Sequence, residues 1–222
     1  MTSSQYYESC LQLARAKREL YKVNTAAMNL TLMRRIYRAE GIAIDQQALG
    51  YRIRAAYYCE DNDCSVLLNS KLPKEPKLFT LAHELKHHYL DREQIEKGEI
   101  RCGNYNAHEL IEKAAEVFAA EFIYPRAEML ELISAMGITS RTCTEEKVIE
   151  LKRACPVSVS YAFVLKRLEW FHLCARDAFK KVHFQKLEEE IHGIPFYKRP
   201  SFTQYRARKS APKKLPGSSR RH

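Results

Sequence analysis

An α+β fold is what the sequence predicts, on three observations. Strand-like runs at 42–44, 52–59 and 64–69 lie between stretches of helical apolar spacing. The last two runs flank the polar turn Glu60-Asp61-Asn62-Asp63 and read as an antiparallel hairpin. A helix then follows with two histidines one turn apart, His83 and His87. The expected core is a short antiparallel sheet beside the histidine helix, with a helical C-terminal region after it. The chain of 222 residues, 45% hydrophobic and 29% charged, is long enough to bury a sizeable core of that kind.

Taken in chain order, residues 4–22 and 25–39 carry helical runs through Leu11, Ala14, Leu20, Met28, Leu32, Met33 and Ile36. After the strands, Lys71–Lys77 holds Pro73 and Pro76 and is expected as a loop. Residues 91–106 are polar with Gly98 and Gly103, a connection between helices. In 107–123, Ile111, Ala115, Phe118 and Phe122 recur at helical spacing until Pro125 stops the run. Further helices are expected over 127–135, ended by Gly137, over 144–155 and 158–171, and over 175–192, closed by Gly193. Pro156-Val157 separates the middle pair, with Ser158 as the expected cap.

His83-Glu84-Leu85-Lys86-His87 sends both imidazoles from one helix face, where they can hold a Zn2+ together with a third ligand. A position left open to water makes that water more acidic, and Glu84 can take its proton and pass it to a leaving amine. This is the spacing of a zinc hydrolase. Helix 107–123 offers the third ligand, since Glu109, Glu112 and Glu116 share a flank and Ala114, Ala115, Ala119 and Ala120 permit close approach. Glu112 or Glu116 can complete the site. Lys86 lies off the His83/His87 axis, which predicts a solvated or snorkelling side chain. His88 points about 100° from His87 and is expected on the surface or behind the ligands. Tyr89, Tyr105, Tyr124 and His172 are the nominees for a donor to a developing oxyanion. An edge of the small sheet can pair with an extended peptide and align it over the metal, so peptide is a natural substrate.

The net charge of +10 is unevenly spread. Residues 198–222 hold nine of the 37 basic residues and no acidic one, leaving 28 basic against 27 acidic in the rest. With several Pro, Gly and Ser, this tail is expected to be disordered and to make at most weak contact with nucleic acid. Seven cysteines, an odd and scattered set, point to thiols in a reducing compartment, although Cys59 and Cys64 flank the hairpin turn and a bridge there is conceivable. No apolar stretch reaches the length of a membrane span and the N-terminus lacks a signal core, so a cytoplasmic protein is expected. The helices at 144–155 and 158–171 look like a helix-turn-helix with Lys166 and Arg167 near phosphates. Val159, Ala162, Phe163, Leu165 and Leu168 on the second of them favour structural packing.

The segments Phe79–His87 and Ile111–Pro125 resemble the two signature helices of the ImmA/IrrE metallopeptidases, whose second motif reads roughly I-E-x-x-A-N-x-F-A-A-x-L-L-M-P. The resemblance spans about residues 5 to 170. It implies a zincin-like fold in which Glu112 joins His83 and His87 as the third zinc ligand and Glu84 is the general base. Glu116 stands where that family usually has Asn or Asp and is implied as a partner that orients a ligand histidine. The resemblance also implies a cytoplasmic endopeptidase that cuts a helix-turn-helix repressor in mobile-element, phage or stress-response regulation.

The expected organisation is a metallopeptidase domain over 1–140, a helical region over 141–197 and the basic tail over 198–222. A second reading is a DNA- or repressor-binding regulator whose zinc fold is a scaffold, with residues 144–171 and the tail as its working surface. Glu84 has no need to sit inside a pure scaffold, which favours the peptidase.

Overall fold

The computed structural model describes residues 2–50, 53–100 and 108–193, and the chain divides into two compact units, one ending at Arg176 and the other beginning at Asp177. The basic tail, Cys102 and Tyr105 lie outside the described residues.

In the first unit the order is α1 (Ser3–Leu20), α2 (Leu30–Ala39), β1 (Ile42–Gln47), β2 (Ala55–Glu60), β3 (Asp63–Asn69), α3 (Lys74–Lys86), a π-helical turn (His87–Asp91) and α4 (Arg92–Glu96). There follow α5 (Glu109–Ile123), α6 (Arg126–Ala135), α7 (Glu145–Ala154) and α8 (Tyr161–Trp170). The architecture is α+β: helices around a three-stranded sheet. Local chemistry sets many of the boundaries. Thr2 and Gln5 form a capping box on α1, Asn29 accepts from Thr31 N and Leu32 N to start α2, and Thr144 starts α7.

Two helix starts differ from expectation. Pro73 and Pro76 fall at the N-cap and within the first turn of α3, where a missing N–H breaks no intrahelical bond, so the helix begins before the expected loop has ended. Ser160 rather than Ser158 caps α8, accepting from Phe163 N at 3.2 Å, while Ser158 Oγ donates to Glu75 at 3.2 Å.

The sheet order is β1-β3-β2, with β2 and β3 antiparallel through a two-residue turn and β1 parallel to β3. Asp61 and Asn62 both have positive φ, 48° and 68°, the left-handed pair that a tight hairpin needs and that Asp and Asn tolerate. The parallel β1 corrects the expectation of a wholly antiparallel sheet. β3 buries Cys64, Val66 and Leu68, and that apolar row takes the centre with a neighbour on each side. Strand order of this kind leaves no trace in residue alternation. Buried Asn69 ends β3 and holds the loop before β2, donating from Nδ2 to Ile53 O at 2.8 Å and accepting from Lys71 N at 3.1 Å. Cys59 and Cys64 face each other in the ladder with Cα atoms 4.1 Å apart and form a disulfide, which corrects the expectation of thiols at this pair. A directly opposed, non-hydrogen-bonded register position brings side chains closest, and no pattern of spacing alone reveals it.

Helix α5 is the hub. It packs on α1 and α3, and Ala114, Ala115, Phe118, Ala119 and Phe122 on it are buried. Its C-terminal carbonyls have no partners within the helix, and two arginines supply them. Buried Arg18 on α1 donates to Phe122 O at 2.6 Å, and buried Arg167 on α8 donates to Tyr124 O at 3.2 Å. Arg167 also lies 3.7 Å from buried Glu121, which pairs with Arg15 at 2.9 Å. Arg167 is thus an internal clamp, not a surface cation, and Lys166 beside it pairs with Glu116.

In the second unit, α9 (Phe184–His192) is shorter than the helix expected over 175–192. Asp177, at φ 58°, takes a left-handed conformation that a helix cannot include, and Gly193 at φ 67° closes α9 as expected. No helix among the described residues is long and apolar enough to cross a membrane.

Phe118→Ala should lower the unfolding free energy by about 3–5 kcal/mol in urea titration, because the ring is fully buried and stacks on Phe122 at 5.5 Å. A loss below about 1 kcal/mol would mean that the α5 core collapses around the deletion. Glu40, at the end of α2, accepts from Lys17 Nζ at 2.9 Å, Tyr21 Oη at 2.5 Å and Tyr89 Oη at 2.6 Å. Burial raises its carboxyl, but the bonds from Tyr21, Tyr89 and Lys17 outweigh burial and hold it below the usual carboxylate range. A depressed folded-state pKa gives stability that is present above the unfolded value and lost as pH falls through the folded one. Stability should therefore fall more steeply on acidification in the wild type than in Glu40→Gln, and parallel curves would show that Glu40 adds nothing.

Candidate metal centre

Helix α3 carries His83, and the π-helical turn that continues it opens with His87, both turned to α5, where Glu112 sits in the first turn. His83 Nε2 lies 3.1 Å from Glu112 Oε2 and 3.2 Å from His87 Nε2, and His87 Nε2 lies 3.9 Å from Glu112 Oε1. The three donor atoms lie within 4.8 Å of one another, with His87 and Glu112 buried and His83 partly open. A tetrahedral dication with bonds near 2.0–2.1 Å keeps its ligand atoms about 3.3 Å apart, so this spacing fits a single small metal ion. Among the described residues, no other His, Cys, Asp and Glu group has such geometry.

The α3 helix is fixed from three sides. Tyr37 on α2 donates its hydroxyl to Leu81 O at 2.7 Å, two residues before His83. Small alanines on α5 let that helix approach, and the sheet packs on the flank that carries Glu84. Glu84 is 5% exposed. It accepts a hydrogen bond from the backbone N–H of Tyr57 on β2, while its Oε2 is buried with no hydrogen-bond partner. An orphaned buried acceptor costs roughly 1–3 kcal/mol and, beside three converging metal donors, is the mark of a group that waits for a ligand. Burial pushes the Glu84 carboxyl upward, against the pull of His83 and His87. For His83, removal from bulk water alone would lower the imidazole. The hydrogen bond to Glu112 and the charges of Glu84, Glu112 and Glu116 outweigh it and raise His83 above its usual range.

Lys86 corrects the expectation drawn from helical geometry. It is 0% exposed, and its ammonium lies 2.7 Å from Asp91 Oδ2 and donates to Ile111 O at 3.3 Å. The π-helical turn widens the end of α3 and brings Asp91 back beneath it, so Lys86 points into protein instead of water. The same Asp91 oxygen lies 2.7 Å from His87 Nδ1. The signal for Asp91 in the sequence is its place four residues after His87.

The other nominated residues lie elsewhere. Glu116 lies one turn beyond Glu112, and both its oxygens accept from Lys166 Nζ, at 3.1 and 3.0 Å; it reaches His83 as a charge. His88 is outside the ligand group and its Nδ1 lies 2.9 Å from Tyr57 Oη. Tyr89 donates to Glu40, Tyr124 is buried beside Arg167, and His172 sits in the left-handed turn after α8 at φ 57°.

Two histidines and a glutamate from paired helices, with a buried carboxylate beside the first histidine, define a candidate mononuclear metal centre of the HExxH type. Over residues 49–169 the chain matches the family model of the IrrE N-terminal-like domain, peptidase family M78, and it belongs to that family. A search of curated proteins found no match.

Elemental analysis should find about one metal ion per wild-type chain and none in His83→Ala or Glu112→Ala that remain folded, since three protein ligands are the minimum for such a site. Retention of metal in both variants would move the site away from this group.

Proposed function

We propose that the chain is a zinc-dependent endopeptidase with a zincin-like site. The reading is carried by one observation: His83, His87 and Glu112 converge on one point beside Glu84, which has one oxygen held and the other unpaired. His83, His87 and Glu112 would hold the ion, and two imidazoles with a carboxylate suit zinc. Zinc, when bound there, acts as a Lewis acid that polarises a carbonyl and acidifies water. Glu84 supplies the proton transfer. The Tyr57 amide fixes the carboxylate, and the unpaired Oε2 takes a proton from the attacking water and delivers it to the leaving nitrogen. Burial raises this carboxyl above its ordinary range, which suits a group that must accept and then release a proton.

The sheet offers the substrate a partner. The bond from Asn69 N to Arg54 O, 2.9 Å, sets the phase of the β2–β3 ladder, so Ala56 and Tyr58 turn their backbone groups to β3 and Ala55, Tyr57 and Cys59 turn theirs to the outer edge. β2 is an edge strand, and Tyr57 on it touches Glu84. An extended peptide added to this edge runs past the catalytic carboxylate.

Family membership supports a protein target, and we read it as a helix-turn-helix repressor cut in the cytoplasm. The regulator reading is weaker. Of its two named phosphate contacts, Arg167 is buried and Lys166 is paired with Glu116, so α7 and α8 serve packing, and any nucleic-acid contact falls to the basic segment 198–222.

Glu84→Gln separates the two readings. Zinc-loaded wild type and variant are incubated with a proteome-derived peptide library, and new termini are read by mass spectrometry. Wild type should generate cleavage products, and the variant, with zinc content unchanged, should be slower by about 100-fold or more. Zinc-loaded wild type without Glu84-dependent cleavage would sink the peptidase and favour the scaffold.

A further inference from the structure

We propose that Asp91 is a positioning residue for the metal centre: with its charge matched by buried Lys86, Asp91 fixes His87 in the tautomer that carries its proton on Nδ1 and presents the Nε2 lone pair to the metal. This rests on the metal-centre reading above and adds to it the device that orients the ligand.

The geometry is specific. Asp91 Oδ2 is 2.7 Å from His87 Nδ1 and 2.7 Å from Lys86 Nζ, so one oxygen serves both. All three residues are 2% exposed or less. A carboxylate has only acceptor positions, so the imidazole nitrogen that faces it must be the one bearing hydrogen, and Nε2 on the far side is left as the acceptor. That Nε2 is the atom facing His83 and Glu112. Metal-bound histidines depend on such a partner at the other nitrogen to hold ring and tautomer.

Lys86 explains how the carboxylate is tolerated. A lone buried charge is costly, and Asp91 lies inside the protein beside the His87 ring. The ammonium supplies the opposite charge at short range and lies 5.3 Å from the centre of the Tyr6 ring on α1. Its further bond to Ile111 O reaches the residue before Glu112. One buried ion pair therefore touches the partner of one ligand and the backbone next to another.

The test starts with metal-free wild type, in which the ring nitrogens of His87 are assigned by NMR. A proton on Nδ1 is expected, and a His87 protonated only on Nε2 overturns the proposal without any variant. Zinc affinity is then measured by competition with a chromophoric chelator for wild type and two double variants. Lys86→Met/Asp91→Ala and Lys86→Met/Asp91→Asn leave neither an unpaired buried ammonium nor an unpaired carboxylate. The alanine form should bind zinc roughly 10–100-fold more weakly and lose the Nδ1–H tautomer. The asparagine form should recover most of the affinity, because its amide oxygen still accepts from Nδ1. Equal affinity in wild type and the alanine form, or equal weakening in both doubles, overturns the role of Asp91 while leaving the metal centre intact. No zinc uptake by wild type overturns the centre and this proposal together.

Discussion

The close approach of α3 and α5 is the constraint on which the rest of the site depends. Two of the candidate ligands, His83 and His87, lie along α3 and the π-helical turn that continues it and the third, Glu112, on α5, so their donor atoms meet at 3.1–3.9 Å only if the helix surfaces nearly touch. Ala115 and Ala119, both fully buried and on the same face of α5 as Glu112, remove the side-chain bulk that would hold the axes apart. Arg18 and Arg167 then hold the far end of α5 by its free carbonyls, while α1 and α3 pack along its length. The N-terminal helix is thus part of the support for a site to which it contributes no ligand.

Buried polar groups are unusually dense around this contact. Glu84, Lys86, His87, Asp91 and Glu112 are each 5% exposed or less. Left alone, each would oppose folding, and they persist because they answer one another. Lys86 answers Asp91, Asp91 answers His87, and the imidazoles face Glu112. Among the described residues, the buried acceptor left unanswered is Glu84 Oε2, at the place where the proposed reaction needs a base. The convergence of imidazole and carboxylate at short range is the feature that a dication would complete.

The C-terminal part of the first unit illustrates how a surface motif differs from a packed one. Lys166 and Arg167 are adjacent in sequence and both are cationic side chains, yet Arg167 is 2% exposed and stacked near Trp170 and Phe171, with ring-centre distances of 5.3 and 4.9 Å. A helix with apolar residues at Phe163, Val164 and Leu168 buries the neighbouring stem as well, and the guanidinium then seeks carbonyls and Glu121. Charge counted along the sequence cannot separate these two fates.

The amino-acid sequence by itself determined the α+β class, the hairpin, the histidine helix and the two glutamates, Glu112 and Glu116, that are nominated for the third ligand. These follow from periodicity and spacing, which act within a few residues. It also carried the family resemblance in two short motifs. Tertiary structure alone decided that β1 joins β3 in parallel, that Cys59 meets Cys64, that Glu112 faces His83 while Glu116 faces Lys166, and that Lys86 turns inward to Asp91. For the strand pairing, the choice of Glu112 and the turn of Lys86 the reason is common: each outcome depends on which surfaces meet between elements distant in sequence or on the path of the chain after a helix ends, whereas Cys59 and Cys64, five residues apart, meet through the register of the hairpin ladder. Helical spacing gave the face of α5, but the meeting with α3 chose the residue on it.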